Sequence, residues 1–103
     1  MEEIKIEITD IIKSIDETTT DFYQQKTDEG YKSLDITLEL LILGINHILE
    51  YNSENNGIKI DEQQLNNLLT EAMKAIESKD VILLSDILQY DIKELFEDIL
   101  KTL

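Results

Sequence analysis

The chain predicts an all-α fold, an up-and-down four-helix bundle, and three observations predict it. There are no prolines and only three glycines in 103 residues. That scarcity of turn residues argues against a sandwich or barrel. Apolar content is 42%, dominated by 17 Ile and 15 Leu, so a core is available and the chain is not disordered. These apolar residues recur at steps of three and four, the signature of one helical face. The length accommodates a single domain, residues 1–103.

The spacing predicts helices near 8–26, 28–53, 62–78 and 80–102. In the first, Ile8, Ile11, Ile15 and Phe22 form the apolar line, and Thr18 fills the remaining seam position. The opening Ile4-Lys5-Ile6-Glu7-Ile8 alternates with period two, as does Ile58-Lys59-Ile60, so the two pieces could instead pair as short strands. The second helix carries Tyr31, Leu34, Leu38, Leu41, Ile45 and Ile48 as an uninterrupted seam. Ser53 to Gly57 reads as a loop. The third helix opens with Asp61 as N-cap, Gln64 completing a capping box and Ile60 stapling onto Leu65. Asp80 can cap the last helix, which implies a very short connection and antiparallel neighbours.

Two helices hold more apolar surface than one bundle core requires. Helix two has a second stripe, Ile36, Leu40, Leu43, His47 and Tyr51, opposite its seam, with Gly44 beside it where a missing side chain allows close helix approach. The last helix has Val81, Leu84, Leu88, Ile92, Leu95 and Ile99 as its main stripe, and Leu83, Ile87 and Tyr90 as a second. These surplus stripes are either extra core or partner-binding surface. The candidate partner-binding residues are therefore Leu40, Leu43, His47, Tyr51, Leu83, Ile87 and Tyr90. Left bare, such patches invite self-association or a partner helix.

Charge sets the class of partner. Twenty-three acidic residues face nine lysines and no arginine, a net −14 spread through the chain. Direct binding to nucleic acid or to an anionic membrane lacks the clustered cations it needs, and a basic protein partner is attracted instead. No apolar run approaches a membrane span, and Met1-Glu2-Glu3 lacks the basic start of a signal peptide. With no cysteine, these features make a cytoplasmic protein the expectation.

Little in the chain suggests chemistry. His47 is the only histidine, followed by Glu50 three residues on, and one histidine cannot supply the repeated Glu-x-x-His of a two-metal bundle. Glu94, Glu97 and Asp98 read as a solvated acidic face more readily than as a magnesium site. No phosphate loop or nucleophile arrangement is present. A non-enzymatic protein without cofactor or metal is expected.

The segment from Ala75 to Ile92, with Asp80, Leu83-Leu84, Asp86-x-Leu88, Tyr90 and Asp91-Ile92, resembles the C-terminal signature of uncharacterised small acidic helical proteins of low-GC Gram-positive bacteria. Tyr23 to Gly30 and Leu41-Ile42-Leu43-Gly44-Ile45 resemble them as well. The resemblance implies a small helical fold and brings no assigned activity with it. In plan the chain is also similar to bacterial flagellar export chaperones, a likeness of architecture alone. The functional expectation is an interaction module, chaperone- or adaptor-like, that takes a partner's amphipathic helix, with a homo-oligomer as a further possibility. A second expectation is an acidic decoy that occupies a nucleic-acid-binding protein, and a third is an enzyme with a carboxylate-held metal.

Overall fold

The computed structural model describes residues 2–55 and 57–103; Met1 and Asn56, the latter inside the expected loop, lie outside the described residues. Four helical rods follow one another: α1 (Glu2–Tyr23), α2 (Thr27–Asn55), α3 (Glu62–Glu77) and α4, which runs through residues 81–102. No strand occurs among the described residues. The whole measures 42 × 24 × 19 Å.

α1 is the central element and packs against α2 and along α4, while α3 packs on α4 and α2 closely approaches only α1. Paired side chains fix the α1/α2 register. Phe22 stacks edge-on to Tyr31, Thr18 bonds Ser33, Ser14 bonds Thr37 and Glu7 bonds His47. One number falls as the other rises, so the two helices are antiparallel. α1 and α4 are antiparallel by the same logic, through Tyr23–Asp86, Thr19–Gln89 and Asp16–Lys93.

The helix begins earlier than expected, because Ile4 continues the line of Ile8, Ile11 and Ile15 into the core while Ile6 faces solvent. Helical spacing thus overrides the period-two alternation. Ile58-Lys59-Ile60 is not a strand either. The Asn52 side chain donates to the Ile58 carbonyl at 2.7 Å and accepts from its N–H at 2.9 Å, taking both groups a ladder partner would use. α2 also runs into the expected loop, to Asn55. In its last turn the Ser53 and Asn55 side chains add donors to the carbonyls of Glu50 and Tyr51.

The caps of the later helices fall where the sequence puts them. Asp61 accepts from the Gln64 N–H at 3.0 Å, and Asp80 accepts from the Leu83 N–H at 3.1 Å. The C-terminal ends are less usual. α1 and α3 both close with the paired bonds of a Schellman motif: Gln25 N to Phe22 O with Lys26 N to Asp21 O, and Lys79 N to Ile76 O with Asp80 N to Ala75 O. The left-handed position is held by Gln25 (φ 63°) in the first and Lys79 (φ 59°) in the second, where glycine is the usual choice.

α4 contains a π-helical turn, Ile87–Ile92, between the α-helical pieces Val81–Asp86 and Lys93–Thr102. The residues it must bury, Leu84, Leu88, Ile92 and Phe96, step by four. Four-residue steps overshoot the 3.6-residue α-turn, and one turn of wider i→i+5 bonding, such as Lys93 N to Leu88 O, takes up the excess. Ile87, whose N–H still bonds the Leu83 carbonyl in the α pattern, faces inward with Leu88 and is only 4% exposed.

Candidate functional site

The face that α2 turns to α1 alternates small or polar residues with large apolar ones. Its fully buried line is Gly30, Leu34, Thr37, Leu41, Gly44 and Ile48. A Cβ on Gly44 would meet Ile11 at 2.6 Å, and one on Gly30 would meet the Phe22 ring at 2.5 Å, so the helices touch through their missing side chains. Four hydroxyls line the contact between them. Thr37 bonds Ser14 at 2.5 Å and Thr18 at 2.9 Å, and Thr18 also bonds Ser33 at 2.6 Å. The expected seam through Tyr31, Leu38 and Ile45 is therefore rotated: those three are half-buried and flank the contact line.

The stripe expected opposite that seam lies to one side of it. It forms the outer edge of the α1/α2 pair. Ile36 is 58% and Leu43 48% exposed, while Leu40 and Tyr51 are half-buried against the core. Along α1, beside this edge, a second line follows at three- and four-residue steps: Glu3, Glu7, Asp10, Ser14, Glu17 and Asp21. Ser14 bonds across to α2, and the other five are acidic. The result is a long surface seam with an apolar ridge on α2 and a carboxylate row on α1.

Each end of the seam opens into a concavity. At one end Lys13, Asp16, Glu17 and Asp21 of α1 meet Lys32, Ser33 and Ile36 of α2, so two lysines share this end with three carboxylates. At the other, Glu3, Ile4 and Glu7 meet His47, Glu50, Tyr51 and Glu54 around about 310 Å³. His47 is exposed here, not a buried member of an apolar stripe, because Glu7 draws it toward α1. Its Nδ1 lies 2.8 and 2.7 Å from the two Glu7 oxygens. That bond and the charge of Glu7, assisted by Glu50 and Glu3, raise its pKa above the ordinary 6.5. Among the described residues no three His, Asp or Glu side chains converge as a metal-binding set.

The second expected patch does not hold together as drawn. Leu83 and Tyr90 are exposed, with Ile82 beside them, but Ile87 packs into the core. Tyr23 of α1 lies next to this patch and donates to Asp86 at 2.5 Å. Partial burial, then Asp86, push the Tyr23 phenol up, so it remains protonated and a donor. Glu94, Glu97 and Asp98 all face solvent.

Sequence reasoning missed the carboxylate row on α1 and the hydroxyl contact. The signal for the row was present, as acidic residues at 3, 7, 10, 17 and 21 repeat with helical period. Hydropathy alone hides it, since it registers only the apolar line on the same helix.

Fold and seam define a class: an acidic, all-α four-helix domain with an apolar ridge flanked by carboxylates. The chain belongs to the family described as a domain of unknown function, DUF8042, whose pattern it matches over residues 1–102. No curated protein and no solved structure matches the chain. No helix among the described residues is long and apolar enough to cross a membrane.

Proposed function

We propose that this domain is a non-enzymatic interaction module that binds a basic amphipathic helix of a protein partner along the α1/α2 seam. The observation that carries the reading is the juxtaposition of the two lines. Ile36, Leu40 and Leu43 offer anchors at the spacing a helix can match with its own apolar face. Glu3, Glu7, Asp10, Glu17 and Asp21 on one side, with Glu39 and Glu50 on the other, outnumber Lys13 and Lys32 at the Ile36 end and suit lysines or arginines flanking that face. A second copy of the chain is disfavoured as occupant, because two such seams would bring carboxylates against carboxylates. An adaptor or chaperone role in the cytoplasm is the form of the function we favour.

A titration tests it. A labelled amphipathic peptide of Leu and Lys, about 18 residues long and so about five helical turns, is added at physiological salt and followed by fluorescence anisotropy. A control peptide keeps the lysines and replaces each Leu with Gln. Saturable one-to-one binding of the Leu peptide, much tighter than the control, is the expected result. Equal binding of the two would reduce the seam to a diffuse acidic surface and overturn the proposal.

A further inference from the structure

We propose that His47 is a proton-linked latch on this seam: it holds Glu7 in the free domain, and a cationic side chain of the docked helix takes Glu7 from it, so that docking tightens as His47 loses its proton. The inference rests on the docking reading and names what regulates it.

The placement carries the argument. His47 is the chain's only histidine. It stands on α2 four residues beyond Leu43, in the line of the ridge, and it reaches α1 through both oxygens of Glu7. The pair bridges two helices at the surface, with side chains 46% and 32% exposed, so a docking helix can reach it. Every charged group lining this concavity is acidic apart from His47 itself. α1 brings Glu3 and Glu7, and α2 brings Glu50 and Glu54, with the phenol of Tyr51 alongside. Protonated His47 is thus the cation already in place where a basic partner would put its own.

The sign follows from that competition. With its proton, His47 cancels one negative charge and occupies Glu7. Without it, the ring keeps an ordinary hydrogen bond and the carboxylate faces the partner uncompensated. A lysine or arginine seated beside Glu7 repels the imidazolium and shares its acceptor, so His47 loses its proton more readily in the complex than in the free domain. The free domain holds that proton to above pH 6.5, through Glu7 first and then Glu50 and Glu3. Between the two titration points docking releases a proton, and affinity rises with pH. Each unit by which the complex lowers the His47 titration strengthens docking about tenfold across the window.

The test uses the whole domain and the Leu/Lys peptide of the preceding section. Affinity is measured from about pH 6 to about pH 8.5, above the range in which ordinary carboxylates take up protons. The His47 ring protons are followed by NMR with and without peptide. We expect affinity to rise several-fold across that range, peptide to lower the His47 titration midpoint, and His47→Gln to remove the slope. Circular dichroism checks that His47→Gln remains folded. Binding that is flat with pH in the wild type would overturn the latch and leave the docking seam standing. The same slope in His47→Gln would also overturn it, assigning the proton to another group. Failure of the Leu peptide to bind at any pH would refute the docking reading itself, and the latch with it.

Discussion

Gly30→Ala separates the close α1/α2 contact from ordinary helix propensity, because the two effects have opposite signs. In an exposed helix interior this substitution stabilises by about 1 kcal/mol. Here the new Cβ would lie 2.5 Å from two carbons of the Phe22 ring, where carbon–carbon contact normally begins near 3.5 Å. The ring must therefore move by roughly an ångström, yet it is 1% exposed and packed edge-on against Tyr31 at 5.3 Å. Overpacking of this kind costs about 1–3 kcal/mol. The net expectation is a loss of about 1 kcal/mol, or some 4–8 °C in a domain of this size. Urea and thermal unfolding measure it, with Gly57→Ala as the internal control. A Cβ on Gly57 meets nothing closer than 3.5 Å, so that change should stabilise by about 0.4–1 kcal/mol. Shrinking the ring with Phe22→Leu should recover part of the Gly30→Ala loss, as contacting sites couple by about 0.5–3 kcal/mol. Stabilisation of about 1 kcal/mol by Gly30→Ala alone would mean that the ring does not lie over Gly30, and the helix register would be wrong.

The other predictions concern polar groups, helix ends and charge. Thr37→Val keeps shape but leaves the buried Ser14 hydroxyl without its partner, and should cost about 1–3 kcal/mol in urea unfolding; adding Ser14→Ala should recover part of it. Lys79→Gly relieves a left-handed backbone (φ 59°) at the end of α3, and should raise stability by about 0.5–1 kcal/mol in the same assay. With a net charge of −14, the thermal midpoint should rise between low and moderate salt as repulsion is screened; a fall would mean that specific pairs such as Asp16–Lys93 outweigh it.

The sequence was legible where apolar spacing and side-chain caps carry the information. Four helices, the caps at Asp61 and Asp80, and the core line Ile8, Ile11, Ile15 and Phe22 could all be read from it. It was opaque where burial follows from smallness. Gly30 and Thr37 are buried because two backbones meet there, and hydropathy ranks them below Leu38 and Ile45, which only flank the contact; the close approach at Gly44 was legible from its missing side chain. The helix ends at Gln25 and Lys79 were displaced by a residue or more because no glycine marks the left-handed position. Ile87 was open to two readings, surplus core or partner surface, because it lies beside the main stripe of its helix, and packing against the core places it in the first. For the candidate site, the α2 half was visible as a surplus stripe. Its pairing with the acidic line of α1 depends on the register of two helices, which spacing within either one does not encode.

The central claim is that the α1/α2 seam binds a basic amphipathic helix, and Ile36→Ser with Leu43→Ser tests it most directly. Both side chains are about half exposed in the free domain (58% and 48%), so their loss should leave helicity intact and move the unfolding free energy by less than about 1 kcal/mol. Leu41→Ser, by contrast, removes a residue that is 1% exposed and should cost several kcal/mol, since a buried hydroxyl adds to about 2–5 kcal/mol of lost packing. The measurement is the affinity of the double variant for the Leu/Lys peptide, taken beside its thermal midpoint. The account predicts affinity reduced to that of the Gln/Lys control peptide with the midpoint nearly unchanged. Wild-type affinity in a folded double variant would contradict it and place any binding elsewhere on the acidic surface.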